Sequence, residues 1–119
     1  MSLKLEDFDE IYVYRDNVDM RKSIDGLCGV VVNEMKKAVQ GKSLFVFSNR
    51  RRDRVKLLYF DRTGFALWYK RLERERFQWC GKEEESVMWI SREQMEMLLE
   101  GQSVFSGKPH KNFEINKVF

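Results

Sequence analysis

The sequence predicts a single α+β domain over residues 1–101: an antiparallel sheet of about five strands around a meander, with a long N-terminal helix and a short C-terminal one. Three observations carry this expectation. Residues 44–79 hold three short, aromatic-rich apolar runs, 44–47, 55–60 and 65–69, divided by polar breaks, which is the composition of strands joined by turns. Apolar residues recur at helical spacing between Met20 and Val39. Ser91 and Gln94 stand in the relation of a capping box, just ahead of a second helical apolar face. Residues 102–119 are polar and basic, and are expected to form an irregular tail.

In chain order, residues 1–10 are an acidic lead-in and Ile11-Tyr12-Val13-Tyr14 is a short strand. Asp16 to Asp19 break it, and Asp19 is placed to cap a helix. Met20, Ile24, Leu27, Cys28, Val31, Met35 and Val39 then share a stripe, predicting a helix over 20–40 that Gly41 ends. Val30-Val31-Val32 favours a strand locally, but the longer period prevails. Gly26 and Gly29 each cost such a helix about 1 kcal/mol, which suits a close approach to the sheet. Leu44 to Phe47 is apolar throughout, as a central strand would be. Ser48 to Arg54 reads as a hairpin loop, and Asp61-Arg62-Thr63-Gly64 as a type I turn.

Alternation in the two later runs places Val55, Leu57 and Tyr59 opposite Lys56, Leu58 and Phe60, and Phe65, Leu67 and Tyr69 opposite Ala66, Trp68 and Lys70. Neither face is cleanly polar, so helices from both ends of the chain should cover the sheet. Lys70 to Arg76 alternates in sign and reads as a solvated link, with strands resuming at Phe77–Trp79 and Val87–Ile90 around an acidic loop at 82–85. Met95, Leu98 and Leu99 give the last helix its apolar face, Ile90 and Met95 form its staple, and Gly101 stops it.

Charge is unevenly placed. The chain carries a net +3, yet residues 50–76 hold ten Lys/Arg against four Asp/Glu, so the remainder is net negative. Positive charge concentrated in the loops of one sheet is an electrostatic footprint for a polyanion. Arg21 and Lys22 fall in the predicted first helical turn, where the dipole opposes them; there they either hold a phosphate or pair with Asp19 or Asp25.

Other functions find little support. No apolar run nears the roughly 20 residues of a membrane span, and the acidic N-terminus is unlike a signal peptide, so a cytoplasmic location is expected. Cys28 and Cys80 have no CxxC spacing and no histidine cluster, Cys28 reads as a small buried hydrophobe, and no metal or cofactor is expected. The one histidine, His110, stands in the tail without an evident nucleophile, and neither GxxxxGK[ST] nor GxGxxG occurs, so no enzyme is indicated.

The blocks Asp19-Met20-Arg21-Lys22-Ser23-Ile24-Asp25-Gly26-Leu27, Leu44 to Phe47, Asn49 to Lys56, Asp61 to Phe65 and Leu67-Trp68-Tyr69-Lys70-Arg71-Leu72-Glu73 together resemble one family. It is the TnpB-type (second open reading frame) accessory protein of the bacterial insertion-sequence 66 family. The similarity runs from about Ile11 to Gly101, and beyond it only Lys108-Pro109-His110-Lys111 echoes the family's ending. The resemblance implies a role in DNA transposition beside a separate transposase that carries the catalytic carboxylates. It supplies no catalytic residues.

Residues and resemblance together yield a non-enzymatic factor that binds element-end DNA and assists the transposase, nucleoid-associated when DNA-bound. Arg50, Arg51, Arg52, Arg54, Lys56, Lys70, Arg71, Arg21 and Lys22 are the candidate nucleic-acid contacts. Trp68 or Tyr69 would stack on bases if exposed, and would otherwise belong to the core. The rival reading is a protein–protein adaptor that docks these basic loops on the transposase without touching DNA, with a remnant nuclease a distant third. The oligomeric state is not legible.

Overall fold

The computed structural model describes residues 3–79 and 85–101. After a 3-10 turn at Leu5–Asp7, the described residues form five strands, β1 (Glu10–Asn17), β2 (Ser43–Ser48), β3 (Arg54–Asp61), β4 (Gly64–Arg71) and β5 (Val87–Ile90), and two α-helices, α1 (Ile24–Asn33) and α2 (Arg92–Leu99). The strands form one sheet in the order β4-β3-β2-β1-β5. The meander β2-β3-β4 is antiparallel, with Val46 opposite Leu57 and Leu57 opposite Trp68. β1 and β2 run parallel, Val13 beside Val46, and β5 closes the sheet antiparallel to β1, Ile11 opposite Ile90. The sheet is therefore mixed, which overturns the antiparallel expectation. The reason lies in the connection: an intervening helix carries the chain back to the starting end of β1, so β2 must leave in the same direction.

That helix is also short, which overturns the long N-terminal helix expected over 20–40. It starts at Ile24 behind Ser23, whose side chain makes no capping hydrogen bond, and Asp19 is not its cap. It stops at Asn33, and Lys36 takes a left-handed conformation, φ 60°, well before Gly41. Three consecutive valines and two glycines are poor helix formers, and tertiary packing sustains only ten residues of the pattern. Met35 still reaches the core from the turn that follows.

Two apolar layers flank the sheet. Ile11, Val13, Leu44, Val46, Val55, Leu57 and Tyr59 face α2 through Met95 and Leu98, joined by Phe77 from the β4–β5 connection. Tyr14, Phe45, Phe47 and Leu58 face α1 through Leu27, Val30 and Val31. Helices from both ends of the chain do cover the two faces. β2 is central, with Leu44 to Phe47 fully buried.

The α2 start follows the expected box: Ser91 Oγ accepts from Gln94 N at 3.1 Å, and Gln94 Oε1 accepts from Ser91 N at 2.9 Å. Ile90 and Met95 are buried in one cluster, as the staple requires, and Gly101 follows α2 at φ 82°. Two other expectations fail. The Asp61–Gly64 turn places Arg62 at φ 53°, so its first central residue is left-handed, as in the primed turns that match strand twist, and not type I. Phe77–Trp79 is not a strand but an irregular segment tied to the β2–β3 loop and to β1, with Phe77 N donating to Arg52 O at 2.6 Å and Trp79 Nε1 to Tyr14 O at 3.2 Å. Cys80, most of the 82–85 loop and the 102–119 tail lie outside the described residues.

Candidate nucleic-acid interface

Because β1 and β2 are parallel and β3 and β4 alternate with them, the end of β1, the end of β2, the start of β3 and the end of β4 all meet at one rim of the sheet. Three basic segments arrive there together: Asp19 to Lys22 after β1, Asn49 to Arg54 between β2 and β3, and Arg71 closing β4. Between them lies an open concavity of about 880 Å³, lined by Asp19, Met20, Arg21, Asn49, Arg50, Arg54, Lys56, Leu67 and Tyr69 among others. Its four cations face a single carboxylate.

The hairpin loop is held by an asparagine. Asn49 is buried; its Nδ2 donates to Asp53 Oδ1 at 2.7 Å and its Oδ1 accepts from Arg54 N at 3.0 Å. Ser48 Oγ donates to Arg54 O at 2.9 Å. The Asn49 hydrogen bond, assisted by Arg51 and Arg54, keeps the Asp53 carboxyl below its ordinary range. Arg50 and Arg51 project from this frame into solvent; Arg51 is 76% exposed and only 3.9 Å from Asp53, a pair of little energetic weight.

Not every predicted cation reaches the rim's outer surface. Arg52 sits at φ 62°, donates from Nη2 to Arg15 O at 3.2 Å and lies 5.0 Å over the Trp79 ring, so it clamps the loop onto the 72–79 connection. Arg52, one of the candidate contacts, is therefore half-buried in the loop's own packing. Lys70 points to the α2 face, where Nζ donates to Leu99 O at 2.9 Å at the helix C-terminus. Lys56 faces the concavity but is spoken for: Nζ donates to Met20 O and Lys22 O, each at 2.8 Å, and so fixes the turn before α1.

Arg21 and Lys22 stand in that turn and not in a helical first turn. Arg21 forks onto Asp19 through Nε and Nη2, at 3.0 and 2.6 Å from Oδ2, and its backbone N donates to Asp19 Oδ1 at 2.9 Å. The side-chain bond to Arg21 is the main cause that holds the Asp19 carboxyl at about 2. Of the pairings expected for these two cations, that of Arg21 with Asp19 is present. Arg71 shares the sheet face of Tyr69 and stands beside Arg54, its strand partner, without lining the concavity itself; its Nε donates to Glu73 Oε2 at 2.9 Å.

Trp68 packs against the α2-side core, whereas Tyr69 is 49% exposed within the concavity. Sequence alternation separated these two but could not say which side α1 leaves open. It also missed Asn49 as the organiser of the loop; an Asn opening a hairpin break is the signal that could have found it. Cys28 is a half-buried free thiol, and burial raises its pKa. Among the described residues no group of His, Cys, Asp and Glu is arranged to hold a metal, and no helix is long and apolar enough to cross a membrane.

The chain is similar to a Sinorhizobium fredii (strain NBRC 101917 / NGR234) protein described as "Uncharacterized protein y4hO", with 32% identity over 91 residues, covering 76% of this chain and 78% of that one. No solved structure matches it. The family described as IS66 Orf2 like protein matches residues 9–108, passing beyond Gly101, where the motif resemblance stopped. A match over so much of the sequence is decisive: the chain belongs to the IS66 Orf2 like family of transposition-associated accessory proteins.

Proposed function

We propose that the protein assists transposition of its element by holding DNA through the phosphate backbone at the basic rim, beside a separate transposase that performs the chemistry. The observation that carries this reading is the gathering of Arg21, Arg50, Arg54 and Lys56 around one open concavity with a single opposing carboxylate. Arg50, Arg51, Arg54 and Arg71 are the direct contacts. Lys56, Arg52 and Lys70 hold the loops and helix that present them. Phosphate contacts fix position without reading bases, so binding should show little sequence preference.

The test is salt dependence. Four phosphate contacts give a slope of log K on log salt of roughly −3.6, at about −0.9 per contact. Arg50→Ala with Arg51→Ala should flatten it by about 1.8 with the unfolding midpoint unchanged, because both side chains are exposed. A double variant with wild-type affinity and slope would sink the role of this loop. Loss of transposase association without any salt-dependent DNA binding would establish the adaptor in its place.

A further inference from the structure

Exposed large hydrophobic side chains are few among the described residues: Val32, Tyr69 and Trp89. Val32 lies on α1, away from the rim, and Trp89 donates its ring N–H to Glu10 beside a hollow where Glu6, Asp9 and Glu93 outnumber Arg92, a net acidic environment unfavourable to phosphate. Tyr69 alone stands among cations. It lies on β4, one of the two edge strands of the sheet, with no further strand beside it. α1 covers Phe65 and Leu67, earlier on the same strand face, and Tyr69 falls outside that apolar layer. Had the helix begun at Met20, the segment now standing as an open turn beside Tyr69 would have been part of a rod. The turn that precedes the short helix lines the concavity beside Tyr69.

The ring is also electrostatically furnished. Lys56 Nζ stands 5.9 Å from its centroid, anchored by two backbone carbonyls. Arg54 and Arg71 form the next cross-strand pair on the same face. An aromatic platform bordered by cations is the pattern by which single strands are bound, because every unpaired base offers a π-face and a backbone phosphate together. A duplex keeps those faces stacked inside. Asn49 and Lys56 already use their polar groups within the loops, so the site stacks bases and does not read their edges.

We propose, resting on the DNA-binding reading above, that the concavity is a subsite for an unpaired nucleotide of single-stranded DNA, its base stacked on Tyr69 and its phosphates on Arg50, Arg54 and Arg71. Such a strand is present wherever element ends are cut or opened.

The experiment titrates the full chain with a fluorescent single strand of about 12 nucleotides, within the usual site sizes, and with the duplex of the same sequence, at several salt concentrations. Tyr69→Ala should weaken single-strand binding about tenfold, leave the duplex affinity and the salt slope unchanged, and Tyr69→Phe should restore it. A 2-aminopurine base in the strand should be quenched by the wild type and by Tyr69→Phe, but not by Tyr69→Ala. Equal single-strand affinity of wild type and Tyr69→Ala, with binding still salt-dependent, overturns the stacking subsite and leaves backbone binding standing. Absence of binding to either form overturns both.

Discussion

Asp19 governs how much charge the rim presents, because it is the carboxylate among the cations that line the concavity and it is paired with Arg21. Arg21 is 92% exposed yet committed to a forked pair with that carboxylate. Asp19→Asn should therefore strengthen DNA binding severalfold and steepen the salt slope by nearly one contact, about 0.9. An adaptor that reads the rim as protein surface shows no such gain; titration of labelled DNA decides. The pH consequence follows from the lowered pKa: whatever the pair adds to stability is present above the ordinary carboxylate range and is lost only as pH falls toward about 2. Between pH 5 and 8 neither stability nor DNA affinity should report this group. Arg52, Lys56 and Lys70 differ from Arg21 in that their donors go to neutral backbone carbonyls, so they brace the fold and keep their charge.

Among the elements, α1 is the weakest by its own sequence and the most consequential for the site. Gly29 lies in its interior, and a Cβ there would meet only Asn33 Nδ2, at 3.9 Å. Gly29→Ala should stabilise the protein by about 0.5–1 kcal/mol, seen as a rise of a few degrees in melting temperature. Gly26 differs: its Cβ would come within 3.2 Å of Lys22, so this glycine makes room for the preceding turn and not for the sheet, contrary to the sequence expectation. Elements whose signal is local were legible: the strand alternation at 55–70, the central run 44–47, the Ser91–Gln94 box. The length of α1 was not, because Met20 and Met35 keep helical spacing while packing from turns. Parallel pairing of β1 with β2 was illegible for a different reason. It depends on where a connection returns the chain, which no residue of either strand encodes. For the site, the candidate cations were legible as a group, but their division between solvent and scaffold depends on partners such as Arg15 O and Leu99 O that sequence does not place.

At the scale of the whole molecule, the cations bear on both sides of the sheet and do different work on each. Lys70 joins the edge strand β4 to the end of α2, satisfying a terminal carbonyl with a charge that complements the helix dipole. Lys70→Met should lower stability by about 1–2 kcal/mol in denaturant unfolding while leaving the salt slope of DNA binding in place. A flattened slope would instead make Lys70 a phosphate contact. The sheet order has a consequence in time as well. β1 is synthesised first, yet its two neighbours are β2 and β5, and Ile11 finds Ile90 only when nearly the whole domain has been made. Until then one edge of β1 is an open template of apolar residues, of the kind that recruits other chains. When β5 emerges it covers that edge of β1 and replaces an eight-residue edge with one of only four residues, a shorter template for another chain to pair with.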